Sequence, residues 1–178
     1  MLKEGILILA GLVALIAGWT DWRSRRIPNW LTVPSAILGV TVNSTLQGWP
    51  GLKSSLEGLG LGLLLLLPLV LANAIGAGDW KLVGALGSVL GPHDLLLVLG
   101  AAVLVAGIMA LALVIYKKRL QQTLRNIVSL LVALVSGHPG QHSVSLDNPE
   151  TLKVPFGVAV AVAVIAFVGQ RLATGLSG

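Results

Sequence analysis

The 178-residue sequence has no cysteine, which excludes disulfides, thiolate zinc sites and a cysteine nucleophile. Charge is scarce too, at 11% of the chain against 55% hydrophobic residues. The three histidines (93, 138 and 142) fall in segments read as loops, without metal-ligand spacing. His-Glu-x-x-His and Gly-x-Ser-x-Gly are both missing, so neither a zinc hydrolase nor a nucleophile-elbow hydrolase is indicated. No metal or cofactor is expected. The short alternating segments of a transmembrane barrel are absent as well.

What is present is apolar sequence in long runs, with a mean hydropathy of +0.90. The expectation is an all-α, polytopic membrane protein with no soluble domain of any size, residues 1–178 forming one membrane-embedded domain. The pI of about 10.1 does not point to nucleic acid, because the basic residues sit at the ends of apolar runs and not in one patch. The expected partner of these surfaces is the lipid bilayer.

Taken in order, spans are expected over 2–19, 30–46, 56–75, 80–90, 95–116 and 154–171. Arg23, Arg25 and Arg26 follow the first span, which marks it as an uncleaved helix with its start outside. Residues 21–29 read as a short inner loop, and Pro28 suits the first turn of the next helix. Residues 47–55 read as an outer loop carrying Gly48, Pro50 and Gly51. The fourth segment, 80–90, reaches only about 16 Å at the helical rise, roughly half the hydrocarbon core. Residues 120–136 place Leu120, Leu124, Ile127, Val128, Leu131 and Leu134 on one face, the pattern of an amphipathic helix lying on the inner surface. A polar loop follows at 138–153. With six crossings, inner loops hold nine Lys and Arg residues and outer segments three, in line with the positive-inside rule. Trp19, Trp22, Trp30, Trp49 and Trp80 all fall at expected boundaries, where aromatic belts form.

Of the seven carboxylates, Asp21 and Asp79 alone sit at the inner ends of spans, beside apolar sequence. A carboxylate at a membrane boundary is costly and therefore a functional candidate. Two such groups at equal depth on different helices can converge across a bundle. Such a pair resists double ionisation and shares one proton, the arrangement of an aspartic protease. Gly76 and Gly78 precede Asp79 and are expected to hold its backbone open for an extended peptide. The same two carboxylates also suit a small transporter or proton-conducting subunit. The arginines after Asp21 read as topology determinants.

Asp21 followed by Ile27-Pro28-Asn29, then Gly76-Ala77-Gly78-Asp79 with Lys81, resembles the type IV prepilin peptidases, membrane aspartyl proteases of the Gly-x-Gly-Asp class. The run from Pro155 through Phe156 and Gly157 is similar to that family's late Pro-aromatic-Gly motif. The resemblance implies cleavage of the basic leader of prepilin-like or pseudopilin precursors at the cytoplasmic face of a bacterial inner membrane, with Asp21 and Asp79 catalytic. Gly76, Gly78, Lys81, Pro28, Asn29, Pro155, Phe156 and Gly157 would then position backbone or substrate. It also implies an interruption of the last helix at Pro155 and Gly157, which read equally as an ordinary helix start. Larger members of the family carry a cysteine-containing insert and N-methylate the product. This chain, with a nine-residue first inner loop and no cysteine, is similar to the small, peptidase-only members found with Flp/Tad-type pili.

Overall fold

A computed structural model describes residues 2–72, 75–117 and 155–176. These form six helices: α1 (Leu2–Ser24), α2 (Asn29–Gln47), α3 (Trp49–Leu71), α4 (Ala77–Leu90), α5 (Pro92–Tyr116) and α6 (Phe156–Leu176). The described residues are helical apart from short connections, as the composition leads one to expect. The amphipathic segment 120–136 and the loop 138–153 lie outside the described residues.

Four helices, α1, α3, α5 and α6, are long and apolar enough to cross a membrane. The six-span expectation is therefore met in full by four, and the other two fall short for different reasons. α2 has 19 residues but carries Thr32, Ser35 and Asn43 on its buried face. α4 has 14 residues, about 21 Å at the helical rise.

The helices pack as a ring around α4. In the order α2, α3, α5, α6, α1 and back to α2 each touches the next, and α4 touches all five. Residues Leu82, Val83, Gly84, Ala85, Leu86, Gly87, Ser88 and Val89 of α4 are all buried, as expected of a helix apolar on every side. The outward faces of the ring carry Leu64, Leu104, Ile108 and Ile115, which suit hydrocarbon. Trp19, Trp22, Trp30 and Trp49 are exposed, consistent with a boundary belt.

Without a hydrophobic drive between helices in lipid, contact depends on small residues and buried polar bonds. Both are concentrated around α4. Gly58 of α3 and Gly87 of α4 meet backbone to backbone, leaving no room for a Cβ on either. Asn43 Nδ2 of α2 donates to the Ser88 carbonyl at 3.1 Å and the Val89 carbonyl at 3.0 Å. Ser88 Oγ donates back to the Ala36 carbonyl at 3.2 Å.

Several expected loops contract. The outer loop placed at 47–55 is reduced to Gly48, whose φ of 64° turns the chain in one residue. Trp49 and Pro50 already belong to α3, because proline's missing N–H costs nothing in a first turn. Gly91, with φ 81°, joins α4 to α5 in the same way. His93 consequently lies in the first turn of α5, not in a loop, with Nδ1 3.2 Å from Asp94 Oδ1. At this end Arg171 Nη2 of α6 also reaches Asp94 Oδ1, at 2.9 Å.

Candidate active site

α1 continues beyond the expected span through Asp21 to Ser24, so the inner loop shrinks from 21–29 to the four residues 25–28. The helix stops through a left-handed cap. Arg25 has φ 54° and its N–H donates to the Asp21 carbonyl at 2.8 Å, the αL closure that usually falls to glycine.

Asp21 continues the buried stripe of Val13, Ala14, Ala17 and Gly18, and is only 6% exposed. That face packs on α6, where Gly18 lies against Ala161. A carboxylate in the last turn of its own helix is opposed by that helix's dipole. Here the N-terminus of α6 supplies the compensation. The Gly157 N–H donates to Asp21 Oδ2 at 2.9 Å, and the Val158 N–H reaches the same carboxylate. A Cβ on residue 157 would come within 2.9 Å of Asp21 Oδ2, so only glycine lets the two helices meet this closely.

Asp79 is the third residue of α4, where negative charge suits the helix dipole. Its carboxylate accepts from the Gly76 N–H, the backward half of a capping box. It also lies within direct electrostatic range of Asp21. Two carboxylates separated by 57 intervening residues (22–78) are thus brought to one site by α1 and α4.

The other residues singled out from sequence fall around this pair in distinct ways. Lys81 Nζ donates to Asn29 Oδ1 at 3.0 Å, tying the starts of α4 and α2 together. The Pro28 carbonyl accepts from the Leu31 N–H at 3.1 Å and opens α2. Pro155 is buried just before α6 and its carbonyl accepts from the Val158 N–H at 3.2 Å. Phe156, half-buried, packs against the core. The described helix begins at Phe156, directly after Pro155.

The glycines before Asp79 take no left-handed backbone angle. Gly76 has φ −73° and ψ 146°, an ordinary extended conformation, and positive φ among the described residues occurs only at Arg25, Gly48 and Gly91. Gly78 matters for proximity instead: a Cβ there would lie 3.2 Å from the Ile27 carbonyl oxygen. The surroundings of two neighbours are not visible in the pattern. Ile27, which stands out there only within the Ile27-Pro28-Asn29 motif, is buried between Gly78 and Gly157. Trp80 is not a belt residue, since its Nε1 turns inward and donates to the Leu63 carbonyl at 2.7 Å.

The family model of the type IV leader peptidases matches residues 8–111. The chain belongs to that family. No curated protein and no solved structure gives a significant match. The matched segment contains Asp21, residues 27–29 and residues 76–81 and ends before Pro155, Phe156 and Gly157. The tie between α6 and the site within the matched segment is seen in the Gly157–Asp21 hydrogen bond.

The anchoring of Trp80 has a measurable consequence. Trp80→Phe keeps the ring and removes the N–H, so the protein is expected to lose about 1 kcal/mol of stability. Thermal melting in detergent reads this directly; a variant as stable as the parent would show that the indole N–H gains nothing over solvent or lipid headgroups.

Proposed function

We propose that this leader peptidase is an aspartyl endopeptidase that hydrolyses the bond between the basic leader and the mature part of prepilin-like precursors, with Asp21 and Asp79 as its catalytic pair. The observation that carries the reading is their convergence from α1 and α4 onto one site, with backbone N–H donors on Asp21. In the working state one carboxylate is ionised and the other protonated. The ionised member takes a proton from water, which attacks the scissile carbonyl carbon, while the neutral member gives its proton to the carbonyl oxygen. Collapse of the tetrahedral intermediate breaks the C–N bond, and a proton passes to the departing amine.

The finer parts of the proposal follow from placement. Arg23, Arg25, Arg26, Lys81 and Lys117 share the end of the bundle that carries Asp21 and Asp79, and Lys53 and Arg171 the other. By the positive-inside rule the site faces the cytoplasm, in the inner membrane of a bacterium. α2 and α4 complete six crossings, the short α4 enclosed by the ring and the polar residues of α2 buried on its inner face. The four-residue loop between α1 and α2 and the lack of cysteine favour a peptidase without methyltransferase activity, of the kind that serves Flp/Tad-type pili.

The test is reconstitution. The purified full-length protein in proteoliposomes, given a prepilin-like precursor, is expected to release the leader and leave a free terminal amine by mass spectrometry. An uncleaved precursor would refute the peptidase assignment for that substrate class. A methylated terminus from this protein alone would refute the peptidase-only reading.

A further inference from the structure

Between the starts of α4 and α6 there is little direct contact, although these two ends carry the groups that matter most. Gly78 adjoins Asp79, and Gly157 holds Asp21. One side chain fills the space between them. Ile27, 8% exposed, is the buried residue of a loop whose Arg25 and Arg26 are exposed. Its Cβ lies 3.2 Å, and its backbone N 3.3 Å, from where a Cβ on Gly78 would stand. Its Cδ1 lies 3.0 Å from the corresponding position on Gly157.

The loop that carries Ile27 has little freedom. It leaves α1 through the left-handed Arg25 and meets Pro28, whose ring limits φ. Isoleucine adds a stiff χ1 of its own. The backbone thus delivers a rigid branched side chain into a gap bounded by glycine on both sides. Neither glycine is set by backbone angle; Gly78 is set by this neighbour, and Gly157 by it together with Asp21.

We infer that Ile27 is a positioning residue, a wedge that sets the spacing of the α4 and α6 starts and through them the separation of Asp79 and Asp21. The inference rests on the reading of these two aspartates as the catalytic pair. A wedge acts on geometry and not on substrate contact, so its removal should appear in kcat and leave KM unchanged. Displacement of a catalytic group by about 1 Å costs roughly 100-fold in rate.

The experiment uses the full-length protein in detergent and a prepilin-like peptide, with kcat expressed per folded molecule from a parallel melting curve. Ile27→Ala is expected to lower kcat by about 10- to 100-fold with KM within about twofold. Ile27→Val, which keeps the branched Cβ and loses Cδ1, should lower kcat by only a few-fold. Gly157→Ala should be nearly inactive, and adding Ile27→Val should raise its kcat only in part, because Cδ1 is one of the atoms the new methyl meets while Asp21 Oδ2 and Cβ, at 2.9 and 3.0 Å, remain. If Ile27→Ala does not fold, Ile27→Val and the double variant decide the matter alone. Unchanged kcat in Ile27→Val, with no gain in the double variant, would overturn the wedge, as would a loss confined to KM or to folded fraction. Asp21→Asn and Asp79→Asn in the same assay separate the two ideas. Near-parental cleavage by either sinks the paired-aspartate reading, whereas inactive aspartate variants beside a fully active Ile27→Ala sink the wedge only.

Discussion

Asp21→Asn and Asp79→Asn are each expected to abolish leader cleavage, and the double variant to be scarcely worse than either alone. In the proposed mechanism both groups serve one proton relay: one accepts a proton from water while the other supplies one to the carbonyl. Removing either leaves its partner unable to complete the cycle, and groups that act as a unit are strongly non-additive. An amide in place of Asp21 can still meet the Gly157 N–H through its oxygen, so the variant should fold while losing the carboxyl that carries or takes the proton. At position 79 asparagine can likewise preserve the cap to the Gly76 N–H, which separates the chemical role from the structural one. Asp94→Asn is the control, since Asp94 lies at the opposite end of the bundle with Arg171 and His93. Initial cleavage rates of membrane-inserted variants settle this. An Asp79→Asn protein cleaving at near parental rate would eliminate the mechanism and favour the proton-carrier alternative.

The second large effect concerns the bundle. Gly58→Ala and Gly87→Ala should each destabilise the protein at or above the upper end of the overpacking range, about 3 kcal/mol. The reason is the nature of the obstacle. An added Cβ at either position meets the opposite helix backbone, which has no rotamer to change, so α3 and α4 must move apart. The double variant should cost less than the sum, because one separation accommodates both methyls. Gly60→Ala and Gly100→Ala, where nothing lies within 4 Å, should change stability by no more than about 0.5 kcal/mol. Unfolding titrations in mixed detergent compare the four directly. Equal stability of Gly58→Ala and Gly60→Ala would show that the α3–α4 contact is not tight in the working protein.

Asp21 and Asp79 stand out in the order of residues alone, whereas Gly58 and Gly87 do not. In a chain with 22 glycines, hydropathy does not distinguish Gly58, pressed against a carbonyl, from Gly60, which faces open space. The distinction depends on which neighbour each helix face meets. Trp80 shows the same limit, because proximity to a boundary is visible in sequence and the direction of the indole N–H is not.

The sequence by itself determined the class of molecule and the chemistry available to it. The cost of placing unpaired backbone groups and charges in hydrocarbon leaves helices as the form for such apolar runs, and it singles out Asp21 and Asp79 among seven carboxylates. These are one-dimensional consequences of composition, run length and charge placement. Only the tertiary structure decided that α4 is the hub of a ring, that the loops shrink to Gly48, Gly91 and residues 25–28, and that α6 meets Asp21 through a backbone N–H. The last point is the clearest case. Gly157 follows Asp21 by 136 residues, and its contribution is a backbone N–H, a group every residue but proline possesses. No pattern of side chains announces that donor; the packing of α1 on α6 aims it at a carboxylate.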